Sequence, residues 1–143
     1  MISKLDQLKG DDLNQILNLS GQLGYENNVD TLSSRLSEII KQDDHAIFVA
    51  RVDQKIVGWL HCLVGLRVES PLFVEVAGLV VDEQARGLHI GRNLIETSKQ
   101  WSANLNISKM LIRCNVLRTE THKFYHHLGF QCNKEQKIFE LDL

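Results

Sequence analysis

The chain has 143 residues, 43% of them apolar and 24% charged, with a formal net charge of −2 and a pI near 6.3. This composition is typical of one soluble globular domain, and we predict a single domain over residues 1–143. A net negative charge argues against nucleic-acid binding, which requires a basic face. The longest apolar stretch, Ile56–Leu66, is too short to span a bilayer and is interrupted by His61.

The N-terminus and the cysteines both indicate a cytoplasmic protein. The opening stretch "MISKLDQLKGDD" is charged and lacks the apolar core of a secretory signal. The three cysteines are an odd number, and no two of them have Cys-x-x-Cys spacing. This pattern predicts neither a disulfide framework nor a cysteine zinc site, so we expect reduced thiols.

The N-terminal half predicts two helices followed by a hairpin. The first helix is capped by Asp11 or Asp12 and ends between Gly21 and Gly24, and the second begins near Asp30 or Thr31. The segments "HAIFVARV" and "KIVGWLHCLVGL" flank the turn residues 52–55. Two β-rich runs around such a turn predict an antiparallel hairpin.

The C-terminal half predicts alternating strands and helices. A strand from about Pro71 to Val81 is followed by a helix over roughly Ile90–Asn104, a strand in "KMLIRCNV" and a short helix in "TETHKFYHHL". The alternating segment "KIFELDL" predicts a last strand, with a further short strand around Phe130–Asn133. The order predicts a mixed α/β fold, with a mixed sheet of about six to seven strands and helices on both faces.

The loop "QARGLHIGR", residues 84–92, lies between a predicted strand and a predicted helix. The N-terminus of a helix presents unpaired N–H groups and positive potential, glycine allows close approach, and two arginines add charge. This combination predicts an anion site. The glycine spacing matches neither the dinucleotide fingerprint nor the P-loop.

The residues Arg86-Gly87-Leu88-His89-Ile90-Gly91, which follow a strand ending at Val81, resemble the acetyl-CoA loop of the GNAT acetyltransferase superfamily. That loop reads Arg/Gln-x-x-Gly-x-Gly/Ala. His89 stands where the family usually has glycine, which matters if the backbone there has positive φ. If His89 is already helical, its N–H can still face a phosphate.

A second motif of the same family lies downstream. Tyr125 precedes Gly129-Phe130 by four residues, as a tyrosine does in GNAT proteins, and Arg118 stands where many members have an asparagine. The resemblance is strong over about Phe73–Leu143 and rests on element order in the N-terminal half. Within the superfamily, the chain looks most similar to small-molecule amine acetyltransferases of the aminoalkylphosphonate and aminoglycoside types.

The resemblance implies a GNAT-like fold and acetyl-CoA as co-substrate, with no metal. Backbone groups of the strand ending at Val81 would pair with the pantetheine arm, and the loop would hold the pyrophosphate. The cofactor would lie between the strands that end at Val81 and Val116. The residues expected to bind it are Leu79, Val80, Val81, Arg86, Gly87, Leu88, His89, Ile90, Gly91, Arg92, Arg118 and Phe124. Asn115 is the candidate for the acceptor, and loop capping is the alternative for Asn115 and Arg118.

Two residues are candidates for proton transfer. The Tyr125 phenol, with an ordinary pKa of about 10, is close enough to a thiol of about 8.5 to protonate a departing thiolate. Glu75 is the candidate base, acting through water. On an ideal strand Glu75 shares a face with Leu79 and Val81, and a bulge at Gly78 would break that parity. The alternatives are a core aromatic and an edge-strand surface charge.

Other polar and aromatic residues receive structural interpretations. His122 and His126 have the i, i+4 spacing of a metal pair, but without a third ligand they indicate a solvated helix face. Trp59 and His61 indicate packing or a wall of the acceptor pocket.

The predicted function is acetyl transfer from acetyl-CoA to a primary amine, by direct attack in a ternary complex. The expected partner is a small-molecule amine rather than nucleic acid or a membrane. The oligomeric state is left open, and only the resemblance suggests a homodimer, since dimers are common in such families. The alternatives are a peptide or protein N-acetyltransferase, which needs an open groove, and a non-catalytic acetyl-CoA-binding module. The segment "LGYENNVDTLSSRL" should line the acceptor side and so distinguish the first alternative.

Overall fold

The computed structural model describes residues 1–22, 24 and 28–143 of the chain. Leu23 and residues 25–27, part of the segment expected to line the acceptor side, lie outside the described residues. The chain forms two compact units, Met1–Ile112 and Arg113–Leu143.

The first unit contains a five-stranded sheet in the order β1-β2-β3-β4-β5. The strands are β1 (Ile2–Lys4), β2 (His45–Val52), β3 (Lys55–Arg67), β4 (Ser70–Val81) and β5 (Met110–Ile112). β4 and β5 pair in parallel, and the other neighbours pair antiparallel. The helices of this unit are α1 (Asp12–Gln22), α2 (Val29–Ile40) and α3 (Ile90–Asn104). No helix in the described ranges is long and apolar enough to cross a membrane.

The turn between β2 and β3 confirms the predicted hairpin. Its two central residues, Asp53 and Gln54, have φ values of 48° and 67°. Positive φ at both positions defines a type I′ turn, whose twist matches that of paired antiparallel strands. Asp and Gln tolerate this conformation less well than glycine, so the strands themselves must supply the stabilisation.

Helices cover both faces of the sheet, as predicted. A Cβ at Gly58 of β3 would lie 3.1 Å from Ile90 Cγ2 and 3.4 Å from Leu94 Cδ1, so this face packs closely on α3. The opposite face packs on α1 and α2 through a buried apolar cluster. The cluster comprises Leu5, Ile16, Leu19, Leu32, Leu36, Ile47, Val49, Ile56 and Val80.

The sheet differs from the prediction at both ends. β1, only three residues long, gives no readable alternation in the sequence and was not predicted. The second unit contains one helix, α4 (Thr119–His127), followed by Gly129 at φ +95°. Residues 130–143 form no strand, so the prediction of about six to seven strands was wrong and the sheet has five.

The physical reason is the lack of a backbone partner. An alternating apolar pattern becomes a strand only where a neighbouring strand accepts its hydrogen bonds. Within the second unit the C-terminal segment has no strand to pair with, and its large apolar side chains are exposed, with Phe139 at 88% and Leu141 at 83%.

Candidate functional site

β4 contains a bulge in the middle of its pairing with β3. His61 pairs with Gly78 and the next residue, Cys62, pairs with Val76, so Ala77 is the extra residue. Ala77 is exposed. The inserted residue reverses the alternation of side chains along β4, so Glu75 does not share a face with Leu79 and Val81. The bulge at Ala77 lies next to Gly78, where the sequence suggested one. The side chains of β4 therefore do not alternate as they would on an ideal strand.

Beyond the bulge, one edge of β4 is open in the first unit. β5 pairs only with Val74–Val76. The N–H of Asp82 donates to the carbonyl oxygen of Val57 in β3 at 2.8 Å. Because N–H groups alternate in direction along a strand, those of Leu79 and Val81 point away from β3, toward the open edge. Their side chains are half-buried and Val80 is buried, so Val80 is the core residue of this segment.

The N-terminus of α3 follows this edge and has no side-chain cap. His89 occupies the N-cap position with φ 56° and ψ 26°, and its side chain makes no capping hydrogen bond. The first turn contains no acidic residue. Gly87, two residues earlier, has φ +89°, and the side chains of Arg86 and Arg92 are exposed. The uncapped N–H groups and the arginines form a positive site of the kind that binds phosphate.

His89 therefore has a positive φ, the conformation in which a histidine at this position is less favourable than the glycine usual in the GNAT family. His89 precedes the helix and is not part of it. Left-handed backbone costs a non-glycine residue roughly 1 kcal/mol. We expect His89→Gly to raise the free energy of unfolding by a few tenths to about 1 kcal/mol, since the greater freedom of glycine in the unfolded chain offsets part of the gain. Denaturant unfolding would measure it. A loss of stability would mean that the His89 side chain makes a stabilising contact.

A polar patch lies on the α1/α2 face of the sheet, next to the bulge. His61 shares this face with Trp59, and Glu75 shares it through its pairing with Leu63. His45 Nδ1 lies 2.9 Å from His61 Nε2, and the two rings stack at 5.2 Å with 18° between their planes. Burial, and then the charge of His45, lower the pKa of His61 to about 4. His61 is therefore neutral at physiological pH.

The Trp59 ring covers Gly78 at the bulge. A Cβ at position 78 would lie 2.8 Å from Trp59 Cζ3 and 2.9 Å from Cη2, so only glycine accommodates the ring there. Trp59 also packs against the apolar cluster. Trp59 thus separates the apolar core from the polar patch, which agrees with its interpretation as packing or a pocket wall.

The second unit contains the candidate acid. Tyr125 lies on α4 with its ring centroid 5.3 Å from that of Phe124 and 5.8 Å from that of Phe130. Burial, together with the neighbouring Cys114, raises the pKa of Tyr125 to about 12, although Arg118 opposes the shift. The phenol is thus a hydrogen-bond donor at any physiological pH and a weaker acid than an ordinary tyrosine.

Asn115 and Arg118 take part in the turn before α4. Asn115 Oδ1 accepts the N–H of Leu117 at 2.9 Å, and the Asn115 carbonyl oxygen accepts the N–H of Arg118 at 3.0 Å. Arg118 is the N-cap residue of α4, and its exposed side chain makes no capping hydrogen bond. The capping interpretation therefore holds for the Asn115 side chain in this structure, whereas the Arg118 guanidinium remains accessible to a ligand.

The structure thus brings the predicted site residues together in two groups, one in each unit. Glu75, Leu79–Val81 and residues 86–92 belong to the first, and the residues from Asn115 to Tyr125 belong to the second. The sequence did not predict the contact of His45 with His61. Within the described ranges, no three His, Cys, Asp or Glu residues are grouped so as to hold a metal ion.

A family model and several solved structures match this chain. The model of the Acetyltransferase (GNAT) family matches residues 12–130. No curated protein matches the chain. The solved structure of the aminoglycoside antibiotic 6'-N-acetyltransferase AAC(6')-IG from Acinetobacter haemolyticus is similar, with a TM-score of 0.85 and 14% identity over 100% of this chain and 99% of that one.

Two further solved structures share the fold. AAC(6')-Iy, in complex with the bisubstrate analog CoA-S-monomethyl-acetylneamine, has a TM-score of 0.85 and 20% identity over 100% of this chain and 98% of that one. A GNAT family acetyltransferase of Staphylococcus aureus has a TM-score of 0.79 and 20% identity over 99% of this chain and 98% of that one. At these identities, the likeness establishes the fold.

Proposed function

Because the chain belongs to the GNAT acetyltransferase family, we propose that it transfers the acetyl group of acetyl-CoA to the primary amine of a small molecule. One observation carries the proposal: the open edge of β4 is followed, after the loop of residues 82–89, by an uncapped helix N-terminus with Arg86 and Arg92 on either side of it in the sequence. An extended ligand with amide groups at one end and phosphates at the other fits these two features in that order.

The cofactor contacts follow from this order. The pantetheine arm pairs with the N–H groups of Leu79 and Val81 as an added strand, beside Val80. The pyrophosphate binds residues 86–92, through the first N–H groups of α3 and the guanidinium groups of Arg86 and Arg92. In the second unit, Arg118 and Phe124 are assigned to the cofactor by the resemblance alone.

The chemistry is direct attack of a neutral amine on the thioester carbonyl. An N–H of the open β4 edge stabilises the developing oxyanion, and holding both reactants in place supplies much of the rate. Glu75, through water, accepts a proton from the amine. Tyr125 donates a hydrogen bond to the departing sulfur, a role that rests on its place in the motif.

We propose a small amine as the acceptor, because two of the solved structures with a similar fold are aminoglycoside acetyltransferases. The test incubates the protein with acetyl-CoA and a panel of amines: aminoglycosides, aminoalkylphosphonates, polyamines, amino acids and short peptides. Release of free thiol with a small amine supports the proposal. Turnover with peptides alone assigns a peptide acetyltransferase, and binding of acetyl-CoA without turnover on any amine assigns a binding module.

The raised pKa of Tyr125 limits what it contributes. Complete proton transfer from a phenol of pKa about 12 to a thiolate of about 8.5 is unfavourable. We therefore expect Tyr125→Phe to lower kcat by about 10-fold, less than the roughly 100-fold or more typical of a general acid, with the KM for acetyl-CoA unchanged. Steady-state kinetics on the acceptor found above would measure both. His127→Phe, an exposed position on the same helix, is the control, and an unchanged kcat in Tyr125→Phe would remove Tyr125 from the mechanism.

A further inference from the structure

The acetyl transfer proposed above, on which this inference rests, releases one proton for each amide formed. An ammonium acceptor loses two N–H protons when it becomes an amide. One of them ends on the sulfur of the departing thiol, and the other must reach solvent. A carboxylate beside the amine can accept the second proton, but it must then pass it on before the next turnover.

The histidine pair connects the interior of the polar patch with solvent. The 2.9 Å contact between His61 Nε2 and His45 Nδ1 is a hydrogen bond, so one proton lies between the two rings. At the other end of the pair, His45 Nε2 lies 3.9 Å from Asp44 Oδ1. The side chain of Asp44 is 63% exposed. Three ionisable groups therefore follow one another from the sheet face to water.

The inner end of this series lies at the bulge. His61 is the cross-strand partner of Gly78, the residue next to the exposed Ala77 and directly before the open edge of β4. Glu75 projects from the same face, opposite Leu63, which is two residues along β3 from His61. The candidate base and the histidine pair thus share one polar patch beside the edge proposed to hold the thioester.

We propose that His61 and His45 carry the surplus proton of the acceptor amine from the β4 bulge to solvent beside Asp44. One N–H bond of the ammonium breaks, and its proton passes through water to Glu75. Glu75 then passes the proton to the free ring nitrogen of His61, Nδ1. The proton on His61 Nε2 shifts across the hydrogen bond to His45 Nδ1. His45 releases a proton from Nε2 to water. Both rings are then neutral but in the opposite tautomers, and exchange of their ring protons with water restores the starting tautomers before the next turnover.

The surroundings of His61 favour its neutral form, so His61 would release a proton soon after accepting it. Burial and the charge of His45 lower the pKa of His61 to about 4, so the His61 ring is neutral at the start and returns its proton readily. The titratable groups of the patch are His45 from β2, which contacts His61, Asp44 just before β2, which lies near His45, and Glu75 from β4, which projects from the same face of the sheet. Asp44 would attract a proton that has reached His45.

The test removes each imidazole in the full chain and measures acetyl transfer to the acceptor identified above. We expect His45→Ala to lower kcat by about 10-fold at neutral pH, with the KM for acetyl-CoA unchanged. Added imidazole should restore the rate of His45→Ala, since His45 reaches the surface. His61→Gln should show a similar loss without rescue, and its loss should shrink as rising pH supplies the amine already neutral.

Two controls separate proton transfer from a structural role. His127→Gln removes an exposed imidazole elsewhere and should keep the wild-type rate, and His45→Gln, which preserves hydrogen bonding, replaces His45→Ala if the alanine variant does not fold. Wild-type rates and pH profiles in the His45 and His61 variants would overturn the proposal while leaving acetyl transfer intact. A loss that is uniform across pH and insensitive to imidazole would also overturn it. Absence of thiol release by the wild-type protein with every amine would instead refute the acetyl transfer itself.

Discussion

Replacing Asp12 by alanine should lower the free energy of unfolding at pH 7 by about 3 kcal/mol. Asp12 begins α1 and is only 5% exposed. Its Oδ1 accepts a hydrogen bond from Arg51 Nη1 at 2.9 Å, and its Oδ2 accepts the N–H of Lys9 at 3.1 Å. Removal leaves the Arg51 guanidinium beside a buried helix start without its counter-charge. Because the Arg51 side chain keeps 25% of its surface exposed, the loss should be at the lower end of that for a buried pair.

The loss of unfolding free energy in Asp12→Ala should become smaller as the pH falls. Burial alone would raise the pKa of Asp12, but the hydrogen bonds from Arg51 and Lys9 outweigh it and lower the pKa below 3.8. A lowered folded-state pKa means that the stabilisation is complete above the unfolded-state value and is lost as pH falls through the folded-state value. The difference between wild type and Asp12→Ala should therefore be constant near neutral pH and shrink below about pH 4.

Denaturant unfolding over a pH series would measure this difference. Asp11→Ala is the matched control, because Asp11 is exposed and its side chain, among the contacts of the described residues, accepts a hydrogen bond only from the Asn14 side chain at 2.8 Å. Its backbone carbonyl oxygen accepts the N–H of Gln15, a bond that alanine keeps. Asp11→Ala should lower the free energy of unfolding by well under ~1 kcal/mol. An equal loss in the two variants, or a loss for Asp12→Ala that does not change on acidification, would show that the ion pair contributes little.

The features that the sequence predicted well are those set by local chemistry. The helix over Ile90–Asn104 and the hairpin around Asp53 and Gln54 have the predicted bounds. Each depends on a periodicity of many residues or on a two-residue turn, and both signals are contained within the segment itself. The strand β5 is shorter than "KMLIRCNV" suggested, since it pairs with β4 over three residues only.

Side-chain facing near the site could not be predicted, because it depends on single-residue insertions. The two-residue turn alone would pair His45 with Cys62 and so place His45 and His61 on opposite faces of the sheet. The register instead shifts by one residue between Ala50 and Arg51, leaving Val57 as a bulge. That shift pairs His61 with Ile47 and His45 with Leu63, so both imidazoles lie on one face. The bulge at Ala77 decides the position of Glu75 in the same way.

The conformation of His89 is a second feature that the sequence could not predict. The sequence indicated that a residue other than glycine occupies this position, but not which backbone conformation it adopts. The structure gives positive φ, so the local cost of the left-handed region is accepted where the chain turns into α3. Strain of this kind is typical of binding loops and is consistent with residues 86–92 serving a ligand rather than stability.

The double variant Arg86→Ala, Arg92→Ala should raise the Kd for acetyl-CoA by about 100-fold, the largest functional effect that we expect from any change in the chain. Each guanidinium would form charge-assisted hydrogen bonds to a phosphate, worth about 1.5 kcal/mol or more apiece. Two such losses correspond to about two factors of ten in Kd. The N–H groups of the first turn of α3 remain and should preserve weak binding.

Titration calorimetry with acetyl-CoA at two salt concentrations would measure this effect, because the arginine contribution is electrostatic and should weaken as salt increases. The matched control is Lys41→Ala, Lys99→Ala, which also removes two positive charges, from lysines that pair with glutamates at 3.1 and 2.8 Å. The control should bind acetyl-CoA like the wild type, since both lysines lie outside residues 86–92 and already have a carboxylate partner. Equal affinity in both double variants would mean that the phosphates are not held by this loop. The uncapped start of α3 and the left-handed His89 would then require another explanation.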